Sequence, residues 1–348
     1  MTSKQFVKKT IIYFLGVMLL ITLVVLLVDP FVHYHAPYFG LAACETDERG
    51  AQVGIARNTD YDVALIGTSM SENFVESWFN CEPFGTKAVK LCMQGAHFDD
   101  FDVLLNEVLQ NGSTKTVLFS LDNYILLNVP SQYPTTIPEY LREPKLSTEV
   151  YYLWNKSVVS YFLPIFLLNN IRDGYTADNA YVWAPMYSFD KYVTRASYNP
   201  LRVLKQEEEE PFDTYFAYAQ EFIDGMTPYI EENPDVEFIF YAPPYSVLYW
   251  DDSVRHGRLT AEICALNEVY KSLLSHENVR IFYFQDQYEI TSDLNNYKDY
   301  SHYSQAINRL MFECMRDGVC EVNADTYYDT LLDFATTAAE YDYESAFH

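Results

Sequence analysis

One stretch near the N-terminus constrains this chain more than any other feature. From Thr10 to Val28 the sequence runs for 19 residues without a charged side chain. As a helix rising ~1.5 Å per residue, such a run has about the length needed to cross the ~30 Å hydrocarbon core of a bilayer. Lysines precede it and Asp29 follows it, so the positive-inside rule predicts a cytoplasmic N-terminus and an extracellular remainder.

Three other interpretations of this run are weaker. A cleavable signal peptide has a shorter apolar core and a small-residue cleavage site directly behind it, whereas Asp-Pro-Phe-Val-His follows here. Leu41–Cys44 resembles a lipoprotein cleavage box but lies too far downstream, and the one-sided lysines argue against a buried core helix. We therefore expect a cytoplasmic tail at residues 1–9, a single-pass membrane anchor at 10–28 and a juxtamembrane connector at 29–58.

Composition excludes two broad classes of protein. Hydrophobic residues make up 49% of the 348 residues, which is enough for a real core and excludes general disorder. The formal net charge of −26 would repel a phosphate backbone, and no lysine or arginine cluster makes a local exception. We therefore expect no nucleic-acid partner. The 31 tyrosines suit either a carbohydrate-binding surface or ordinary packing at and below the surface.

Cysteine spacing gives no sign of a zinc site. The six cysteines include no C-x-x-C pair and no histidine at ligand spacing, and they occur at positions 44, 81, 92, 264, 314 and 320. An extracellular domain allows disulfides. Cys314–Cys320 and Cys81–Cys92 are conceivable pairs by proximity in sequence, but free buried thiols fit equally well.

From residue 59 onward, short apolar runs alternate with helical segments. Predicted strands cover Tyr61–Ile66, Thr86–Leu91, Thr116–Leu121, Val236–Tyr241 and Val279–Phe284. Predicted helices cover Phe98–Leu109, Phe212–Glu232, Leu259–Leu274 and His302–Arg316. Strands that alternate with helices of this length predict a parallel sheet covered on both faces. The expected fold class is therefore α/β, a three-layer sandwich over residues 59–322.

Residues 124–210 interrupt this alternation as a tyrosine-rich insertion. The apolar stretch Val158–Leu168 within it contains Pro164 and is too short to span a bilayer. This stretch either lies in the membrane interface or forms part of a cap over the sheet, and we expect the cap. The last segment, 323–348, is acidic and partly helical, with apolar side chains able to dock on the domain.

Two loops at the carboxyl ends of predicted strands carry side chains suited to nucleophilic chemistry, and open parallel sheets form their sites at these ends. After the first strand, Gly67 allows a sharp turn that can present Ser69, although a serine there is often only a helix cap. Ser71 is expected to face elsewhere. After the last strand, Asp299 and His302 are spaced so that the carboxylate can orient the imidazole, an arrangement that also occurs as a cap.

Together, the Gly-x-Ser and Asp-x-x-His motifs resemble the SGNH/GDSL hydrolase superfamily over about residues 59–320. The resemblance implies a flavodoxin-like sandwich in which Ser69 is the nucleophile and His302 and Asp299 complete a catalytic triad. It also implies no cofactor and no metal.

Two further blocks of the family supply the oxyanion hole. The second block contributes a backbone N–H, which falls on Gly95 in the sequence Met-Gln-Gly-Ala. The third block usually reads Gly-x-Asn-Asp, whereas the loop here reads Ser-Leu-Asp-Asn. The resemblance therefore implies that the Asn123 side chain is an oxyanion donor, although the sequence of this loop departs from the family pattern.

Within the superfamily, the chain is similar in layout to membrane-tethered bacterial proteins of alginate O-acetylation and of D-alanyl transfer to teichoic acid. Shared features are the anchor, a connector with Asp-Pro-Phe, the Gly-Thr-Ser-Met turn and the Asp-x-x-His-Tyr end. The resemblance implies an extracytoplasmic serine esterase or O-acyltransferase. Its substrates would be acyl esters, above all acetyl esters, of a cell-envelope polysaccharide. It also makes a multi-spanning membrane O-acyltransferase a candidate partner.

Other functions stay open at this point. The incomplete third block favours a catalytically inactive scaffold of the same fold that binds polysaccharide or a membrane O-acyltransferase. A peptidase or a lipase would also fit the triad, and the apolar stretch Val158–Leu168 keeps phospholipid open as a substrate.

Overall fold

The computed structural model describes residues 2–43, 47–127, 134–143, 145–172 and 174–348. The chain divides into two compact units. The first unit comprises residues 1–60 and 136–180, and the second comprises 61–135 and 181–348. The tyrosine-rich segment that the sequence presents as one insertion is therefore shared between the two units.

The second unit is built on a six-stranded sheet with strand order β2-β1-β3-β4-β5-β6. The strands are β1 (Val63–Gly67), β2 (Ala88–Cys92), β3 (Thr116–Ser120), β4 (Glu237–Ala242), β5 (Val279–Tyr283) and β6 (Glu321–Val322). Strands β1 to β5 are parallel, which confirms the predicted parallel sheet. Strand β6 adds an antiparallel strand at one edge of the sheet. It has only two residues, which are too few to form a recognisable strand pattern in the sequence.

The α-helices lie between and beyond these strands. In chain order, the described α-helices are α1 (Ser3–Val28), α2 (Glu48–Asn58), α3 (Phe98–Gln110), α4 (Asn123–Leu126), α5 (Glu139–Arg142), α6 (Val150–Leu153), α7 (Leu163–Ile171), α8 (Lys191–Tyr198), α9 (Phe216–Glu232), α10 (Val247–Arg255), α11 (Leu259–Leu273), α12 (Tyr288–Thr291), α13 (Gln305–Asp317) and α14 (Tyr327–Glu340). A π-helical turn at Val158–Phe162 precedes α7. Turns of 3₁₀-helix occur at Glu76–Phe79, Ala177–Asn179, Ala184–Met186, Leu294–Asn296 and Tyr343–Phe347.

Helices cover both faces of the sheet. Successive residues of a strand point to opposite faces. On one face, Leu65 and Leu118 belong to a buried cluster that also contains Met311 of α13. On the other face, the Phe119 ring packs against Phe101 of α3 with ring centroids 5.3 Å apart. The second unit is therefore an α/β sandwich, and its five parallel strands end at the same edge of the sheet.

Several helical segments differ from the sequence expectation, and helix α2 lies within the expected juxtamembrane connector. Helix α13 begins at Gln305 and not at His302, because Tyr303 pairs with Tyr297 in a β-bridge and the next residue is an extended N-cap. Helix α9 begins at Phe216, four residues later than predicted. The short helix α10 was not predicted at all. In the acidic C-terminal segment, α14 buries one face of its apolar residues and leaves Leu332 exposed.

The first unit contains α1, the one helix of the described residues that is long and apolar enough to cross a membrane. Its most apolar 18 residues have a mean hydropathy of 3.1, and Val25 is its one buried residue. These properties are compatible with the expected anchor, whereas its orientation stays a prediction. The apolar segment Val158–Ile171 belongs to this first unit and not to the unit that carries the sheet.

The described cysteines are free thiols. Neither of the two conceivable disulfides is formed, although the thiols of Cys314 and Cys320 lie within hydrogen-bond distance of each other. Cys44 lies outside the described residues.

Candidate active site

Ser69 stands in the turn that follows β1, at the carboxyl edge of the sheet. The strand ends at Gly67, where an added Cβ atom would lie 2.1 Å from Oγ of Ser71. Only glycine tolerates so close an approach. Ser71 is buried, and its Oγ lies 2.6 Å from the hydroxyl oxygen of Tyr241. Ser71 therefore faces the interior, as expected, and leaves Ser69 as the serine of this turn that lines the cavity.

The structure brings Ser69 and His302 into contact. Oγ of Ser69 lies 2.9 Å from Nε2 of His302, although 233 positions separate them in sequence. His302 is held in a tight loop, because its carbonyl oxygen accepts a hydrogen bond from the backbone N–H of Lys298 at 3.0 Å. Since α13 begins only at Gln305, the imidazole is carried by this loop and not by the helix.

Asp299 holds the other side of the imidazole ring. Its Oδ1 and Oδ2 atoms lie 3.0 and 2.9 Å from Nδ1 of His302. The Oδ1 atom also accepts hydrogen bonds from the backbone N–H groups of Ser301 and His302, at 2.9 and 2.8 Å. Nζ of Lys298 lies 3.1 Å from Oδ2. The carboxylate is therefore fixed by its own loop, independently of the serine.

These contacts determine which atoms of Asp299 and His302 carry protons. Burial alone would raise the pKa of Asp299, but the hydrogen bond and charge of His302 and the two backbone N–H groups hold that pKa well below its usual range. Asp299 is therefore ionised at neutral pH. An ionised carboxylate at Nδ1 places the ring proton there and leaves Nε2 to accept a proton from Ser69. This is the polarity that a general base requires.

Gly95 lies in the loop after β2 and lines the same cavity as Ser69. Its φ of 59° is in the left-handed region, which favours glycine. In the described part of the chain, neither the backbone N–H of Gly95 nor that of Ser69 donates to an acceptor. Two unused N–H groups beside a serine hydroxyl are what an oxyanion hole needs.

Asn123 follows β3 and opens the short helix α4, where it lines the cavity and is buried. Nε2 of Gln285 lies 3.5 Å from its Oδ1 atom. Its Nδ2 atom makes no hydrogen bond of good geometry to any described residue, although the nearby Tyr249 hydroxyl interacts with the side chain. The amide is therefore placed where it can donate into the cavity, even though the third sequence block departs from the family pattern.

Asp122, the residue before Asn123, is hydrogen-bonded to the turn that carries Ser69. It is fully buried and accepts hydrogen bonds from Oγ1 of Thr68 at 2.7 Å and from the Tyr245 hydroxyl at 3.2 Å. Burial raises the pKa of Asp122, and these hydrogen bonds lower it only in part. Sequence reasoning missed this residue, although an acidic residue at the carboxyl end of a strand was a usable signal.

Trp183 is a second residue that sequence reasoning missed. Its indole N–H donates to the carbonyl oxygen of Ser69 at 2.9 Å, and its ring meets that of His302 edge-on at 5.6 Å between centroids. Nζ of Lys298 lies 4.8 Å from the centroid of the indole ring. No motif or periodicity surrounds this tryptophan in sequence, so no local signal could have found it.

The site opens into a cavity of about 950 Å³ within the second unit. Ser69 and His302 lie on its wall, together with the charged residues Arg258 and Glu262. Much of the remaining wall is aromatic, with tyrosines at positions 124, 187, 215, 245, 249 and 300. The cavity can therefore hold a ligand larger than an acyl group, against rings that combine apolar faces with hydroxyl groups.

Among the residues that the structure describes, no three His, Cys, Asp or Glu side chains are grouped so as to hold a metal ion. No protein-family model, no curated protein and no solved structure matches this chain. The resemblance to the SGNH/GDSL superfamily therefore stays a prediction that rests on the short motifs.

Proposed function

We propose that this chain is a membrane-anchored serine ester hydrolase or O-acyltransferase of the SGNH type. The observation that carries the proposal is the line of contacts from Ser69 through His302 to Asp299, with 2.9 Å between Oγ and Nε2. A serine, an imidazole and a half-buried carboxylate in this order form the arrangement that activates a hydroxyl group for attack on an acyl carbon.

In the proposed reaction, Nε2 of His302 removes the proton from Ser69 as Oγ attacks the ester carbonyl. The backbone N–H groups of Ser69 and Gly95, joined by the Asn123 amide, stabilise the negative oxygen of the tetrahedral intermediate. One such donor is typically worth about 3 kcal/mol of transition-state stabilisation. His302 then returns the proton to the departing alcohol, which leaves an acyl group on Ser69.

The acyl-enzyme is resolved by a second nucleophile. In a hydrolase, His302 removes a proton from water, which attacks the acyl carbon and releases the acid. In a transferase, a sugar hydroxyl attacks the acyl carbon in place of water. The bond to Ser69 then breaks, and the acylated sugar is released as the new ester. Both routes end with the proton back on Ser69, so the same residues serve either outcome.

The substrate that we propose is an acyl ester, above all an acetyl ester, of an extracytoplasmic polysaccharide. The aromatic wall of the cavity supports this choice, because tyrosine rings stack on the apolar faces of sugars while their hydroxyls bond to sugar oxygens. The apolar helix α1 supports placement at a membrane. A multi-spanning membrane O-acyltransferase is the proposed partner that would supply or receive the acyl group.

The proposal is tested by steady-state hydrolysis of p-nitrophenyl acetate by the full chain in detergent. Ser69→Ala is compared with Ser71→Ala, a matched control in the same turn whose hydroxyl faces Tyr241. We expect Ser69→Ala to lower kcat by about 10⁴-fold or more, and Ser71→Ala to keep the wild-type order of magnitude. Equal turnover by Ser69→Ala and the wild type would refute the nucleophile assignment.

A second assay separates hydrolysis from transfer. An oligosaccharide acceptor is added to the same reaction, and its acylation is followed by mass spectrometry. Acylated sugar that depends on Ser69 would establish a transferase, whereas free acid alone would establish an esterase. Absence of both products from a folded wild-type chain would favour the inactive scaffold over either enzyme.

A further inference from the structure

The first unit carries an exposed apolar surface on its short helical segment Val158–Ile171. Tyr161, Leu168 and Ile171 leave 56%, 58% and 75% of their surface exposed. Spacings of seven and three residues place these three side chains on the same face of the segment. We call this face, made of Tyr161, Leu168 and Ile171, the outer face.

The opposite face of the same segment is already buried. Val158, Leu163 and Phe166 pack into the first unit. No charged residue occurs between Lys156 and Arg172, so the segment is apolar on its buried face and largely apolar on its outer face. A helix at a water-exposed surface normally presents charged and polar residues to solvent. The outer face therefore has the composition of a surface that is covered in the working protein.

A direct contact places the residues just before this segment beside the anchor helix. The indole N–H of Trp154 donates to Oγ1 of Thr22, within α1, at 2.8 Å. Thr22 lies seven residues before Asp29, which is about 10 Å along a helix axis. If residues 10–28 of α1 fill the hydrocarbon layer, Trp154 therefore lies in the half of that layer that ends at Asp29, at a depth where lipid surrounds the helix.

A buried polar network fixes this placement. Asp29, the C-cap of α1, accepts a hydrogen bond from the Tyr152 hydroxyl at 2.6 Å and another from the backbone N–H of Tyr34 at 2.7 Å. The Phe31 ring lies 5.0 Å from that of Phe162, in the π-helical turn before α7. The end of α1 is thus hydrogen-bonded to Tyr152 of α6, and Phe31, two residues beyond it, packs its ring against the apolar segment.

We propose that the outer face is a membrane-binding surface that lies in the interfacial layer of the bilayer beside α1. The occupant that fits is lipid. Tryptophan and tyrosine concentrate at the boundary between hydrocarbon and headgroups, and Trp154 and Tyr161 supply that pair here. The flanking Lys156 and Arg172 can extend their charged ends toward the headgroups. This inference concerns the first unit and is independent of the proposed chemistry.

The test is tryptophan quenching by brominated lipid, with the full chain in nanodiscs. The discs are made of zwitterionic phospholipid, either plain or brominated in the upper part of the acyl chains. Tyr161→Trp and Leu168→Trp report on the outer face. Leu20→Trp reports on α1 and Leu332→Trp on the exposed side of α14, and the wild-type signal is subtracted from each.

We expect the tryptophans added at positions 161 and 168 to lose fluorescence in brominated discs, as does that at position 20. The tryptophan at 332 should keep its fluorescence. Unquenched emission at both 161 and 168, beside quenched emission at 20, would place the outer face outside the lipid and overturn the inference. Blue-shifted but unquenched emission from the tryptophans at 161 and 168 would show that protein, and not lipid, covers the outer face. Unquenched emission from the tryptophan at 20 would show that α1 does not lie in the bilayer. Either result also overturns it.

Discussion

The indole N–H of Trp183 donates a hydrogen bond to the carbonyl oxygen of Ser69, with 2.9 Å between the two atoms. The backbone N–H of Trp183 is itself held at 3.2 Å by Oδ1 of Asn73, which follows the same turn. The indole edge also meets the ring of His302. One side chain from outside the strand–helix framework thus fixes the backbone of the serine and limits the position of the imidazole.

Replacing this tryptophan should therefore impair turnover without unfolding the chain. Trp183→Phe keeps an aromatic ring beside His302 but removes the N–H. We expect kcat for p-nitrophenyl acetate to fall about 5- to 10-fold, since a neutral hydrogen bond is worth about 1 kcal/mol. Trp154→Phe, in the first unit, is the matched control and should keep the wild-type kcat. A Trp183→Phe variant as fast as the wild type would show that this hydrogen bond does not position Ser69 for the proposed attack.

Asp299 should matter far more than its neighbour Lys298. In Asp299→Asn the amide can present an N–H to Nδ1 of His302, which moves the ring proton to Nε2 and blocks acceptance from Ser69. We expect kcat to fall by about 10³- to 10⁴-fold with KM little changed. Lys298→Met removes the ion pair but leaves the carboxylate on Nδ1, and its steady-state kcat should fall less than about 10-fold. Similar losses in the two variants would contradict the orienting role of Asp299.

The Asn123 side chain should act on the transition state and not on substrate binding. Asn123→Ala removes one of the three proposed oxyanion donors, so we expect kcat to fall by about 10²-fold while KM stays near the wild-type value. Steady-state kinetics with p-nitrophenyl acetate measures both constants. An unchanged kcat would remove Asn123 from the oxyanion hole and leave the two backbone N–H groups as its donors.

Asp62 gives a prediction about stability, because it lies before β1 at the edge of the sheet away from Ser69. Its carboxylate accepts hydrogen bonds from the backbone N–H groups of Thr86 and Lys87, both at 2.8 Å. Burial acts to raise the pKa of Asp62, but these hydrogen bonds outweigh it and lower the pKa to about 2. Since the unfolded value is ~3.9, the ionised group stabilises the fold above about pH 4. That contribution is lost as the pH falls through about 2.

Asp62→Asn should accordingly have a lower urea midpoint than the wild type at neutral pH, and the difference should shrink as the pH falls below about 4. Circular dichroism across a urea and pH series measures it. Asp333→Asn, on the exposed side of α14, is the control and should show little difference at any pH. A difference in urea midpoint between Asp62→Asn and the wild type that stays constant with pH would contradict the lowered pKa of Asp62.

The framework of the second unit could be predicted from sequence because parallel strands buried on both faces appear as short apolar runs. The runs that include Val63–Ile66 and Thr116–Ser120 are of this kind, and their carboxyl ends point to the loops that carry Ser69 and Asn123. The spacing of Asp299 and His302 suggested their contact. That Ser69 and His302 meet required the strand order, which the alternation of strands and helices does not supply on its own.

Other features left no local pattern. Strand β6 has two residues, and the start of α13 depends on a bridge between Tyr297 and Tyr303 that forms only in the folded loop. Trp183 lies 114 positions from the serine whose carbonyl oxygen it contacts, in a segment without helical or strand periodicity. Side chains that support a site from a distant segment are fixed by tertiary packing, and sequence pattern carries little information about them.

Covalent labelling shows whether Ser69 is a nucleophile. The full chain in detergent is treated with a fluorophosphonate probe, digested, and mapped by mass spectrometry, beside Ser69→Ala and His302→Ala. We predict a single labelled serine at position 69, strongly reduced labelling in His302→Ala and none in Ser69→Ala. Labelling at another residue, or no labelling of a folded wild-type chain, would rule out Ser69 as the nucleophile.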